Sequence, residues 1–503
     1  MTPPTTSSLN YDEAVRFLLS LGRELASPQQ ASATKFGLEN IRALAEHLGH
    51  PERRYPSAHI AGTNGKGSTA AMLASILESA GLRTGLYTSP HLARINERIR
   101  IAGREISDHD FAAALGRVRR AIEEMLASGA LAAHPTFFEC VTAIAFDEFA
   151  RAHVDFAVFE VGMGGRLDAT NIIEPEVAVI TQIAFDHEDF LGHSIEGIAA
   201  EKAAIIKPGA WVVSAAENPA ARAVIRARAE SQHAHLIEID EAFHVKQLPA
   251  RLQSHGADEY APDFPHATRF EAIEKSSGRA IELTVPLAGR FQHRNALTAL
   301  AAARLLAERA ASPAKDFVGA ELASARLAPT SSLRAGRVAL IHDDAIARGI
   351  AQVHWPGRLE RVGDRPAVYL DGTHNPAGAR ELLAFWDEHF AGVPIHLVYG
   401  ALRDKPVDEI CGLLFPRAAS VILTEPRQPR ALSAVVLAEM TAHLARNIEV
   451  VPDPAAALER AISQSAPEDA VFATGSLYLI EDYRRGWANL HVANSPSPAI
   501  RKP

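Results

Sequence analysis

The sequence predicts an α/β protein of two sheet-containing units, and three observations carry that expectation. Short apolar or β-branched runs alternate with helical stretches after residue 56: SAHIAG at 57–62, VDFAVFEV at 154–161, VAVITQI at 177–183 and WVVS at 211–214. Lacking polar alternation, these runs suit strands buried on both faces, as in a parallel sheet covered by helices. A second series follows a loop holding Pro356 and Gly357: AVYLDG at 367–372, IHLVYG at 395–400, SVILTE at 420–425, IEVV at 448–451 and AVFATG at 470–475. Helical segments separate these runs too, which marks a second α/β unit. Length is the third observation, since 503 residues at roughly 150 per domain allow two or three domains. The expected units are residues 1–355 and 362–503, with a hinge at 352–362.

Taken in order, residues 1–9 are polar and proline-rich and are expected to fray. Asn10 to about Leu48 reads as helices, with Val15, Phe17, Leu18 and Leu21 at helical spacing. Residues 240–285 are irregular, rich in charge and histidine, and read as a surface excursion. Helix returns with NALTALAAARLLAERAA from Asn295, and the tail ANSPSPAIRKP reads as disordered.

Composition narrows the function classes. Hydrophobic residues are 47% and charged residues 22%, the proportions of a folded globular chain. Lys and Arg number 51 against 60 Asp and Glu, a net charge of −9 that repels nucleic acid and anionic membranes. An anionic substrate therefore needs a local cationic or metal site. Two cysteines, Cys140 and Cys411, exclude a disulfide framework and fit a reducing compartment. No apolar run approaches the roughly 20 residues of a membrane helix. Asp12 and Glu13 come early with no basic leader before them, so the expected location is the cytoplasm.

The strongest motif is His59-Ile-Ala-Gly-Thr-Asn-Gly-Lys-Gly-Ser-Thr69, between a predicted strand and a helix read from Thr69. Gly62, Gly65 and Gly67 let the backbone curl so that its N–H groups face a phosphate. Lys66 adds a positive charge, and Ser68 or Thr69 a hydroxyl for magnesium. The turn is of P-loop type without matching the strict pattern, since Ile60 stands where the first glycine belongs and Gly67 follows the lysine. Glu160 lies in an otherwise apolar strand, where an unpaired carboxylate is costly. Either a buried partner satisfies it or it ligates Mg²⁺ beside the phosphate loop. Gly162, Gly164 and Gly165 then permit close approach of a ligand, with Arg166 and Asp168 as polar contacts.

Other residues are ambiguous singly. Ser89 reads as a Ser-Pro turn or as a metal or phosphate contact, and His187 as a loop residue or a metal ligand. Lys202, on the amphipathic SIEGIAAEKAAIIKPG helix, reads by pattern as solvated. Asp371 and His374 follow a strand and precede a helix, at the edge where open α/β sheets bind ligands, although His374 also suits a helix-start turn. No H-E-x-x-H is present, so a zinc hydrolase is unsupported.

Ten blocks in sequence resemble the folylpolyglutamate synthase and dihydrofolate synthase family, a branch of the Mur ligases. They are GTNGKGS, TSPHL, TFFE, FEVGMGGRLDATN, DHEDFLG, EKAAIIKPG, GRFQHRN, PGRLE, DGTHNPAGA and GSLYL, and the resemblance spans about residues 34 to 480. It implies a P-loop-type ATP-binding domain with a parallel-rich sheet and a smaller Rossmann-like C-terminal glutamate-ligase domain. It also implies a two-step reaction: ATP phosphorylates a carboxylate, and the amine of L-glutamate displaces phosphate from the acyl phosphate.

By the same resemblance, Thr63, Asn64, Gly65, Lys66, Gly67, Ser68, Asn295, Arg358 and Asp371 bind ATP. Ser68, Ser89, Glu160 and His187 hold two Mg²⁺ ions, and Lys66, Lys202, His374 and Asp371 are catalytic. Lys202 matches a lysine that is carbamylated in the family. Phe137, Phe138, Glu139, Leu167, Asp168 and Ala169 match positions lining the pterin or folate pocket, where an aromatic wall suits a flat heterocycle. Phe137 and Phe138 suit a hydrophobic core equally well. Implied partners are ATP, glutamate and tetrahydrofolate or dihydropteroate, bound by a monomer.

Lys35 departs from the pattern, because bifunctional bacterial members often have an acidic residue there. This weakens the case for dihydropteroate. Another Mur-type amide ligase and a P-loop module without ligase chemistry are the alternatives. The first needs a further domain before the phosphate loop, and only 61 residues precede Gly62.

Overall fold

The computed structural model describes residues 9–21, 37–186, 192–249, 266–311 and 341–493. The expected frayed start, Lys35, His187, part of the 240–285 excursion and nearly all of the tail lie outside the described residues. The chain divides into two compact units, the first running to His354 and the second from Trp355, with Leu287–Arg290 grouped with the second.

The first unit begins with the helix Tyr11–Ser20. Asn10 caps it and exchanges bonds with Glu13, and the helix buries Ala14 and Leu18. The sheet strands are β1 (Ser57–Ala61), β2 (Thr84–Tyr87), β3 (Ile99–Ile101), β4 (Arg104–Glu105), β5 (Phe156–Glu160), β6 (Val177–Ile180), β7 (Trp211–Ser214) and β8 (His235–Glu238). Their order is β4-β3-β2-β5-β1-β6-β7-β8. Pairing is parallel from β2 through β8, while β3 and β4 are antiparallel. Every residue of β1 and β5 is buried, as apolar runs without alternation require. Phe159 anchors one face, its ring centroid 5.3 Å from Phe146 and 5.6 Å from Phe149. Burial of one such side chain contributes about 1.5–3 kcal/mol.

The excursion is more regular than its composition suggests. Three strands, β9 (Phe243–Gln247), β10 (Thr268–Glu274) and β11 (Ala280–Val285), form an antiparallel sheet. Their charged residues alternate with Phe270, Ala272, Ile281 and Leu283, which are buried, so the charge belongs to one face of a half-exposed sheet. The following helix runs Phe291–Ala311 and so starts four residues before Asn295.

The second unit has β12 (Glu360–Asp364), β13 (Ala367–Leu370), β14 (Ile395–Tyr399), β15 (Ser420–Leu423), β16 (Ile448–Val450) and β17 (Ala470–Thr474). Their order is β12-β13-β17-β14-β15-β16, parallel except for β12. β12 was not legible as a strand: its pairing breaks register between Arg361 and Gly363, which disrupts any period-two pattern. Tyr369 and Phe472 stack across β13 and β17 with centroids 4.8 Å apart. Among the described residues no helix is long and apolar enough to cross a membrane.

Candidate active site

The strongest motif folds as a tight turn between β1 and the helix Lys66–Ser79, which opens three residues before the expected Thr69. Gly65 explains the difference: at φ +86° it takes the left-handed conformation that glycine adopts without penalty, and so caps the helix. A Cβ there would lie 2.3 Å from Asn295 Oδ1, so the turn also needs glycine for space. Gly62 is equally constrained, with a Cβ position 1.8 Å from Thr181 Oγ1.

The turn is laced to the end of β6. Thr63 N donates to Gln182 O at 2.7 Å, its hydroxyl donates to Ala184 O at 2.9 Å, and Ala184 N donates back to that hydroxyl at 3.1 Å. Asn64 Nδ2 donates to Gln182 Oε1 at 3.1 Å, and Thr181 Oγ1 donates to Asn64 O at 2.7 Å. Thr181 and Gln182 hold the turn in place, which the motif alone did not show, although two polar residues ending an apolar strand are a signal. Lys66 Nζ donates to Gly62 O at 3.1 Å and Thr63 O at 3.0 Å, which holds the ammonium over the turn. Gly67, Ser68 and Thr69 are buried in the first helical turn. Thr69 and Asn295 meet at 3.5 Å, and Asn295 in turn donates to Gln292 Oε1 at 2.9 Å.

Glu160 ends β5 opposite Ile60 and is 4% exposed. Its Oε2 accepts from Ser89 N at 3.2 Å, so the structure brings Ser89 and Glu160 together beside the strand that feeds the phosphate turn. Asp168 is buried and accepts four bonds. Gly162 N and Met163 N donate to Oδ2 at 2.9 and 3.1 Å, and the Thr170 amide and hydroxyl donate to Oδ1. It therefore shapes the glycine loop after Glu160. Burial raises its pKa, against the pull of those donors.

That loop is seated on the helix Ile195–Ala203. Arg166 N donates to Glu201 O at 2.9 Å, and the Arg166 guanidinium meets the Glu201 carboxylate at 2.8 Å. A Cβ on Gly165 would stand 2.6 Å from Glu201 O. Lys202 is not solvated as its helical pattern suggests; it is 5% exposed, and Gly165 of the glycine loop packs against its backbone. Burial first, then the Lys66 charge, lowers its pKa to about 7, against Asp186, Asp168 and Glu201.

Other expected pocket residues divide. Phe137 is 5% exposed, in the core and beneath the Arg98 guanidinium. Phe138 is half-buried against the glycine loop, its ring 2.5 Å from where a Gly162 Cβ would be. Glu139 closes a capping box with Thr136, accepting from its amide at 2.8 Å. Leu167 is half-buried and Ala169 buried, either side of Asp168.

In the second unit, buried Asp371 accepts from Leu359 N and Thr373 N, both at 2.9 Å, tying the Arg358 loop to the end of β13. His374 Nδ1 donates to Gly372 O at 2.8 Å, and Asn375 caps the next helix. Asp371, His374 and Arg358 thus share the loops at the C-terminal edge of β13, where parallel sheets bind ligands.

Among the described residues no three His, Cys, Asp or Glu side chains group as a metal cluster. Near the phosphate-type turn the oxygens include those of buried Glu160, which accepts from Ser89 N, and of Ser68 in the first helical turn. Hard oxygens in small number fit Mg²⁺, which keeps several waters and completes its shell with phosphate.

A glycine-rich turn of phosphate-loop form on one parallel-rich sheet, followed by a second parallel-rich unit, is the arrangement of a Mur-type ligase, and two family models match it. The Mur ligase middle domain model matches residues 60–303, and the Mur ligase glutamate ligase domain model matches residues 357–477. The dihydrofolate synthase/folylpolyglutamate synthase of Bacillus subtilis is 35% identical over 455 residues, covering 90% of this chain and 95% of that protein. Mycobacterium tuberculosis folylpolyglutamate synthase complexed with ADP superposes with a TM-score of 0.77 at 31% identity, covering 95% and 98% of the two chains. The Escherichia coli FolC structure in complex with DHPP and ADP gives a TM-score of 0.75 at 27% identity, covering 98% and 100%. The chain belongs to the folylpolyglutamate synthase/dihydrofolate synthase family of ATP-dependent ligases.

Proposed function

We propose that this protein adds L-glutamate to tetrahydrofolate, and also to dihydropteroate, at the expense of ATP through an acyl phosphate. The observation that carries this reading is the juxtaposition of a phosphate-type turn at the start of Lys66–Ser79 with buried Glu160 on the adjoining strand. Both acid substrates enter because the Bacillus subtilis relative is named for both activities; Lys35, which bears on the choice, lies outside the described residues.

Amides at the helix start and Lys66 bind the ATP phosphates, with Lys66 exchanging two neutral carbonyls for a charge-assisted contact. Thr63, Asn64, Gly65, Gly67, Ser68 and Asn295 shape that cradle. Ser68, Ser89, Glu160 and His187 would hold two Mg²⁺ ions, which supply neutralisation of charge on the phosphoryl oxygens. A carboxylate oxygen of the acid substrate attacks the γ-phosphorus and ADP leaves. The glutamate amine then attacks the acyl carbon, and phosphate departs with the former carboxylate oxygen.

Lys202 serves as its carbamate, an anion formed when neutral amine takes up CO₂; its lowered proton affinity supports that role. The glycine loop, Phe138 and Leu167–Ala169 receive the heterocycle, and within the second unit Arg358, Asp371 and His374 form its ligand-binding edge. Only small-molecule partners, a monomer and a cytoplasmic setting are proposed with this reading. Labelling the substrate carboxylate with ¹⁸O tests it: label should pass into released phosphate, and its retention wholly in the amide product contradicts the acyl phosphate.

A further inference from the structure

We propose that His59 is a positioning residue, acting through Thr170 and Asp168 to fix the 162–165 loop against Lys202. The inference rests on the function proposed above, in which that loop faces the acid substrate.

The donor directions are set by chemistry. Asp168 receives amide donors on both oxygens, from Gly162 and Met163 on Oδ2 and from Thr170 on Oδ1. With four donors converging on its two oxygens, the carboxyl group accepts throughout, so the single Thr170 hydroxyl proton also goes to Oδ1. The Thr170 oxygen must then accept from His59 Nε2, 2.8 Å away. His59 is consequently protonated at Nε2, and its Nδ1 lies buried with no hydrogen-bond partner.

Leaving a ring nitrogen unsatisfied costs stability, and a purely apolar residue would avoid that cost. The histidine therefore supplies something other than packing, namely one N–H aimed at Thr170. Burial, then the Lys207 charge, lowers its pKa to about 3, so the ring stays neutral. Its placement gives the bond a purpose. His59 sits on β1 opposite Phe159, three residues before Gly62, so the chain of bonds joins the strand feeding the phosphate turn to the loop after Glu160.

The experiment is hydrogen exchange at the Gly162 and Met163 amides, with steady-state kinetics on the same proteins. In His59→Leu and Thr170→Val these amides should exchange about tenfold faster than in wild type, as loss of one buried hydrogen bond predicts. His59→Gln, which keeps an N–H donor, and Thr170→Ser should restore protection. KM for the acid substrate should rise about tenfold in the first pair while KM for ATP changes less than about twofold. Wild-type exchange in His59→Leu and Thr170→Val overturns the proposal, as does His59→Gln behaving like His59→Leu. A wild-type enzyme without ligase activity would overturn the functional reading alone, since the exchange result needs no turnover.

Discussion

The charge on Lys66 acts on Lys202: after burial, it is the largest influence lowering the Lys202 pKa, which falls to about 7. One lysine donates to carbonyls of the phosphate-type turn while the other, buried, is held ready to lose its proton. The first supplies positive charge and the second becomes a candidate for conversion to an anion.

Carbamate formation at Lys202 should therefore follow pH near neutrality. With ¹³C-labelled CO₂, a carbamate resonance should grow as pH rises through about 7 and vanish in Lys202→Ala, whose activity excess bicarbonate does not restore. The same shift carries a sign for stability. The unfolded lysine binds its proton up to about 10.5 and the folded one only to about 7, so Lys202 makes stability rise with pH between them. Lys202→Met should flatten that rise in denaturant titrations; an unchanged slope argues against a depressed pKa.

Lys66→Met should lower turnover by about 10²–10³-fold, the usual loss when one donor to a developing phosphoryl charge is removed. Removing that charge also raises the Lys202 pKa, so the carbamate titration should move to higher pH. An unmoved titration would mean that the two lysines do not sense each other.

Glu160→Gln keeps size and hydrogen-bonding capacity but removes the charge. Mg²⁺-dependent turnover should be lost while thermal stability stays within a few degrees. Unchanged turnover across a magnesium titration would remove Glu160 from the metal site.

Gly165→Ala places a methyl 2.6 Å from Glu201 O. Backbone must shift at Lys202, and we expect a loss of about 1–3 kcal/mol, read as a lower unfolding midpoint, together with reduced kcat. A variant with wild-type stability and kcat would show that the loop does not bear on that helix.

Much of this was legible in the sequence because the chemistry is local. Gly62, Gly65 and Lys66 sit within five residues, and strand, turn and helix follow one another there. Glu160 was legible because an acid in an apolar strand is costly. Lys202 was not, since helical spacing alone reads as solvated and does not show that its backbone packs against Gly165, 37 residues earlier in the chain. Phe137 could not be told from a pocket wall, because core packing and heterocycle stacking ask for the same side chain. For Glu139 and Asp168, expected to line the pocket, residue type alone did not show that the Thr136 amide donates to the first and the Gly162 and Met163 amides to the second.

Glutamate-dependent phosphate release from ATP by the purified protein, with tetrahydrofolate or dihydropteroate as the acid, tests the central claim most directly. Release with at least one acid, abolished when glutamate or Mg²⁺ is omitted, is the predicted result. No glutamate-dependent release with either acid would contradict it.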